Sequence, residues 1–123
     1  MKHIILDTNI LMAFLQFKID IFAELNRICD FQYDLSVLDK TIEELNKIKQ
    51  VQKSSEKLAA SIAIQIIAKN KLNIIKTTSG YVDDLLVEYS RKGYLIATQD
   101  AGLKRRLKHP LITIRKKKYL VLV

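Results

Sequence analysis

Apolar and polar positions change period several times along the chain, and the changes divide it into short strands and helices. His3-Ile4-Ile5-Leu6 is a short β-branched run that stops at Asp7-Thr8-Asn9, residues that favour helix caps, and apolar positions then recur from Ile10 to Phe17. This reads as a buried strand passing at once into a helix. Asp20 to Cys29 carries Ile21, Phe22, Leu25 and Ile28 at helical spacing, and Tyr33 to Leu38 reads as a short second strand. From Thr41, the positions of Ile42, Leu45 and Ile48 predict a third helix. Ser55 to Lys69 predicts a longer one, with Leu58, Ala59, Ile62, Ala63, Ile66 and Ile67 forming an apolar stripe that serves first as core. The polar joint between them is 49–55.

The second half alternates faster. Leu72 to Ile75 reads as a strand, and Tyr81, Leu85 and Tyr89 recur every fourth residue as a helix. Gly93 ends that helix, because glycine accepts positive φ without steric cost. Tyr94 to Ala97 is a strand, Gly102 to Leu107 a short helix, and Leu111 to Ile114 a strand after Pro110. Tyr119 to Val123 adds an edge strand or wraps the sheet. Strands alternating with helices imply an α/β fold, a parallel sheet covered on both faces. The 123 residues suit one domain spanning 1–123, and no repeat or linker interrupts them.

Composition narrows the class. A hydrophobic fraction of 49% excludes a disordered basic tail, and three glycines and one proline argue against a turn-rich sandwich or barrel. The solitary Cys29 cannot form an internal disulfide, and its place on an apolar stripe makes it an inert core thiol. No apolar stretch approaches the length of a membrane span or a signal-peptide core, so a soluble cytoplasmic protein is expected. Lys and Arg total 21 against 13 acids, a formal charge of +8, which suggests a polyanionic partner.

Four acids fall where an α/β fold binds ligands, beyond the carboxyl ends of strands. Asp7 follows the first strand, Glu44 lies in the first turn after Thr41, Asp83 opens the helix after the third strand, and Asp100 follows Tyr94-Leu-Ile-Ala-Thr-Gln. Each has an ordinary alternative. Asp7 and Asp100 can cap helices, Thr41-Ile-Glu-Glu44 matches a capping box, and Asp83 with Asp84 can answer a helix dipole. Together they are better explained as neighbours in space, where carboxylates repel unless a cation neutralises them. Hard oxygen ligands suit Mg²⁺ or Mn²⁺, and such an ion lowers the pKa of an attacking water and stabilises charge on a phosphate. With a basic surface, this points to metal-dependent cleavage of a phosphodiester.

Ile4-Ile-Leu-Asp7-Thr-Asn-Ile-Leu-Met, Thr41-Ile-Glu-Glu44-Leu, Val82-Asp-Asp-Leu-Leu and Ile96-Ala-Thr-Gln-Asp100 resemble the PIN-domain nucleases in order and spacing over nearly the whole chain. The resemblance implies a three-layer α/β/α sandwich with a central parallel sheet, and an endoribonuclease. Asp7, Glu44, Asp83 and Asp100 would hold one or two Mg²⁺ or Mn²⁺ ions. Thr8, Asn9 and Thr98 would stand just behind them, with Asp84 a possible outer ligand. Cleavage would leave a 5′-phosphate and a 3′-hydroxyl. This chain departs from the pattern at Gln99, where the family often has Asn, and at Ala101-Gly102, where a further acid or Asn often follows. Its last third is most similar to the PIN nucleases of small-subunit ribosomal RNA processing, and one cysteine leaves no zinc ribbon. The implied partners are a ribosomal RNA precursor and a ribosome-assembly partner. A toxin-type ribonuclease with an antitoxin partner is the alternative, and a non-catalytic RNA-binding assembly factor a third. The family often pairs through helices, which makes the remainder of the 58–67 stripe a candidate homodimer face.

Eight cations and no acids follow Asp100. Lys104, Arg105, Arg106 and Lys108 are the RNA-binding candidates, the arginines especially, since guanidinium forks grip phosphate at two points. Arg115 to Lys118 reads equally as a soluble edge strand. Tyr81, Tyr89, Tyr94 and Tyr119 are expected to pack rather than stack on bases, and His3 and His109 have no metal-spaced partner. An aspartyl phosphatase would need Asp at Asn9, and a receiver domain an acidic pair before the first helix; neither is present.

Overall fold

The computed structural model describes residues 1–51 and 53–123, so within the joint at 49–55 Gln52 lies outside the described residues. The order is β1 (Lys2–Leu6), α1 (Thr8–Gln16), α2 (Ile21–Ile28), β2 (Tyr33–Leu38), α3 (Asp39–Val51), α4 (Ser54–Lys69), β3 (Asn73–Ile75), α5 (Val82–Arg91), β4 (Leu95–Ala97), α6 (Ala101–Arg106), β5 (Ile112–Arg115) and β6 (Tyr119–Leu122). Among the described residues, six strands form one sheet ordered β3-β2-β1-β4-β5-β6. Neighbours are parallel except β5 and β6, so the carboxyl-terminal segment does add an edge strand.

Side-chain alternation on the central strand builds the three layers. Ile4 and Leu6 point into a core shared with α1, α2, α3 and α4, while Ile5 points into a second core with Leu85, Leu86, Ile96 and Leu103. All three β1 side chains are wholly buried, each worth roughly 1.5–3 kcal/mol of transfer free energy. On α4 the buried positions include Ala59, Ala60 and Ala63, whose small side chains let α1 and α3 pack close against that helix. The stripe does not bury whole: Leu58 is 54% exposed.

Two boundaries differ from the sequence expectation for a physical reason. α3 begins at Asp39, directly after β2, because the Asp39 carboxylate supplies the start: it accepts the Lys40 N–H at 2.8 Å and both the N–H and hydroxyl of Thr77. Thr41 is therefore buried inside the first turn instead of capping it, and Glu44 lies in the second turn. Tyr81, expected to pack, is 82% exposed just outside α5, whereas Tyr89 and Tyr94 meet edge to face at 4.9 Å.

The β6 edge is closed in two ways. At β6, Glu24 of α2 accepts the Leu120 N–H while Arg27 donates to the Leu120 carbonyl, so a helix occupies the strand's free hydrogen-bonding groups. At the β5–β6 turn, Lys116 and Lys117 both take left-handed backbone conformations, with φ of 57° and 54°, closed by the Lys118 N–H on the Arg115 carbonyl. Such conformations cost an L side chain roughly 1–2 kcal/mol each. Among the described residues, no helix is long and apolar enough to cross a membrane.

Candidate active site

β1 and β4 lie side by side in the middle of the sheet and end level, Leu6 opposite Ala97. The residues that follow them therefore emerge together. Asp7 extends the ladder by one bond, its N–H on the Ala97 carbonyl at 2.9 Å, and its side chain turns to cap α1. One carboxylate oxygen accepts the Thr8 N–H at 2.9 Å, and the other accepts the Thr98 hydroxyl at 2.8 Å with a longer contact from the Asn9 amide. Thr98 is fully buried, and its oxygen also accepts the Asp100 N–H at 3.1 Å, so one hydroxyl fixes two of the acids. Asn9 accepts the Gln99 N–H, and the Gln99 amide donates back to the Asn9 carbonyl. Gln99, where the family often has Asn, thus locks the two segments together. Asp100 caps α6 through the Leu103 N–H at 2.8 Å.

Facing this wall are two helices. α3 presents Lys40, Glu43, Glu44 and Lys47, and α5 presents Asp83. Glu44 accepts the Thr8 hydroxyl at 2.6 Å, which ties the two walls at one point. The walls enclose a cavity of about 650 Å³ lined by Asp7, Glu44, Asp83 and Asp100 together. Four acids far apart in sequence are thus brought to one place. Asp84, one residue round the helix, leaves it: its carboxylate takes the Arg106 guanidinium at 2.6 Å over an adjoining hollow.

None of Lys104, Arg105, Arg106 and Lys108 lines the cavity. Arg106 is committed to Asp84, and the Lys108 N–H is held by the Ser90 hydroxyl. The cations that do line it, Lys40 and Lys47, were not singled out in the sequence. Their signal was present: Lys40 precedes Glu44 by four, and Glu43 precedes Lys47 by four, so all share a helix face. Lys40 also donates to the Gly80 carbonyl at 3.0 Å.

Burial pushes the Asp7 carboxyl up from its ordinary range, and the charges of Glu44 and Asp83 add to the rise, against the opposing bonds from Thr98 and Thr8. Asp7, Glu44 and Asp83 are therefore close enough to feel one another. Among the described residues, five carboxylates against two lysines leave the cavity lining electronegative. Among the described residues, no three acid, His or Cys side chains close into a ready-made ligand group. The donors fit a hard divalent ion that keeps several waters and takes one or two carboxylates directly, the usual habit of Mg²⁺.

Comparison with known proteins identifies the family of the chain. A family model described as PIN like domain matches residues 4–117. Ribonuclease VapC4 of Methanocaldococcus jannaschii is 30% identical over 126 positions, covering 97% of this chain and 95% of that protein. The solved structure of the PIN domain endonuclease Utp24 superposes with a TM-score of 0.77 at 26% identity, covering 98% of this chain and 90% of that one. The chain belongs to the PIN-like domain family.

Proposed function

We propose that the protein is a Mg²⁺- or Mn²⁺-dependent endoribonuclease that hydrolyses RNA phosphodiester bonds, with a ribosomal RNA precursor as target. The observation that carries this reading is the meeting of Asp7, Glu44, Asp83 and Asp100, from four separate parts of the chain, around one cavity at the carboxyl ends of β1 and β4. The relatives' names, a ribonuclease and an endonuclease, support the same chemistry.

Asp7 and Asp100, held by the shared Thr98 hydroxyl, would be the fixed ligands of the ion, with Glu44 and Asp83 completing its surroundings from the opposite wall. When bound, the ion supplies Lewis acidity toward the scissile phosphate and lowers the pKa of the attacking water. Glu44, exposed on α3 yet tethered to Thr8, would orient that water. Lys40 and Lys47, which line the same cavity, would offer cations to the phosphates of the bound strand.

The test is cleavage of an RNA substrate in Mn²⁺ by the wild type and by Asp7→Asn. Loss of cleavage in the variant, with 5′-phosphate products from the wild type, is expected; equal cleavage sinks the assignment. A toxin-type role with an antitoxin partner is a second reading, favoured by the near full-length likeness to Ribonuclease VapC4. Growth arrest on expression selects that reading, and copurification with ribosomal precursors selects processing.

A further inference from the structure

We infer that the tip of the β5–β6 hairpin, Arg115 to Lys118, is a contact surface for the RNA backbone; this rests on the ribonuclease reading above. The register places it. Ile112, the first residue of β5, pairs with Ala97, the last of β4, which is itself level with Leu6 at the end of β1. β5 therefore starts where its neighbours stop, and its next three residues rise about 10 Å past the level from which Asp7 and Asp100 emerge. The hairpin projects past the sheet end that carries the acids, its tip seated against Phe17 at the far end of α1, the helix that Asp7 caps.

Its tip is four consecutive cations, all exposed. Among the described residues no salt bridge engages any of them, unlike Arg106 on α6. Lys117 lies over the Phe17 ring at 5.8 Å, which brings the tip next to Lys18, a further exposed cation at the far end of α1. The backbone supplies an independent sign. Two successive left-handed positions in a hairpin are those that Asn-Gly fills most readily, yet here both are lysines. Solubility alone does not require charge at those two positions, since Arg115 and Lys118 flank them. Strained residues kept against local preference mark a surface with a task. A row of cations one helix length along α1 from Asp7 suits a strand whose phosphates track past the cut site, with affinity that is salt-dependent and sequence-blind.

The experiment uses the full chain, a short mixed-sequence single-stranded RNA, and EDTA so that cleavage does not intervene, with affinity read across a salt titration. Lys116→Asn with Lys117→Gly fits the turn better than the native pair and removes two charges. It is expected to melt no lower than wild type, to bind roughly tenfold more weakly near physiological salt, and to flatten the log–log salt slope by about 1.4. Arg115→Gln with Lys118→Gln, which leaves the left-handed positions untouched, should weaken binding similarly. Lys104→Ala with Arg105→Ala on α6 removes the same charge and should do distinctly less. Unchanged binding by both tip variants overturns the inference and leaves the nuclease reading standing. Equal losses from the tip and α6 variants overturn it too, because affinity would then follow net charge and not position. Wild type that cleaves RNA in Mn²⁺ yet shows no salt-dependent binding in EDTA removes the tip alone; neither binding nor cleavage removes both readings.

Discussion

The two walls of the cavity are built on different principles. The sheet wall, Asp7 with Thr98 and Asp100, grows from the level ends of two adjacent central strands, and every polar group in it is held by another: Thr98 grips Asp7 and Asp100, and Gln99 grips Asn9. The helix wall is Glu44, Asp83 and Lys47, which are exposed, with Lys40 half-buried, and among the described residues its one bond to the opposite side runs from Thr8 to Glu44. Pre-organised donors and acceptors do most for catalysis because no reorganisation is needed when charge develops. The sheet wall should therefore carry most of the chemistry, and the helix wall should adjust to the substrate.

The largest effect is expected at Asp7. Asp7→Asn should lower RNA cleavage by roughly two to four orders of magnitude, the several kcal/mol that a ligand to a catalytic ion commands. The same change should raise the melting temperature measured in EDTA at pH 7. Burial raises the folded-state pKa of Asp7, so the folded chain takes up its proton more readily than the unfolded one, and stability falls as pH rises from the ordinary carboxylate range through the folded value. The gain from Asn should accordingly disappear below about pH 4. Next in size is Thr98→Val, which keeps shape and removes the shared hydroxyl. Activity should drop roughly 10- to 100-fold, and stability by about 1–3 kcal/mol from the stranded Asp7 and Asp100 partners. A Thr98→Val enzyme with wild-type activity would erase the distinction between the walls.

The sheet wall was also the more legible of the two in the sequence. Asp7 and Asp100 each follow a short apolar run, and a strand that stops at a capping residue announces both its own end and the helix to come. The helix wall is less legible. The Thr41-Ile-Glu-Glu44 pattern looked like a capping box, but Asp39, one step past β2, took that role through Thr77, a residue 38 positions away. A local motif cannot reveal a long-range competitor. Lys40 and Lys47 are interspersed with acids at helical spacing and stand out less than the contiguous Lys104 to Arg106 on α6, whose Arg106 the fold instead pairs with Asp84. The burial of Ala59 and Ala63 followed from helical period, whereas the exposure of Leu58 depended on which neighbours the stripe found.

Smaller effects belong to the helix wall. Glu44→Gln retains an oxygen for the Thr8 hydroxyl and loses only charge, so cleavage should fall about tenfold, well short of Asp7→Asn. A loss as large as that at Asp7 would show the two walls to be equal partners. Lys47→Ala should raise KM a few-fold with little change in kcat, as expected for one exposed phosphate contact.

The smallest effect tests what holds the helix wall in place. Asp39 anchors the start of α3 to the segment before α5 through both the N–H and the hydroxyl of Thr77, and those bonds hold its carboxyl below the ordinary range. A depressed folded-state pKa means stability that is present above the unfolded value near pH 3.9 and is lost as pH falls through the folded value. Asp39→Asn should thus melt slightly below wild type at pH 6, and the gap should close on acidification below about pH 4. Because the anchor joins α3 to the approach of α5, the variant should also loosen Glu44 and Asp83 relative to Asp7. RNA cleavage should then show a raised KM at pH 6, while amide exchange at Thr98 and Gln99 stays as slow as in wild type. Faster exchange at those two residues would mean that the walls move as one body and that their difference in rigidity is not a division of labour.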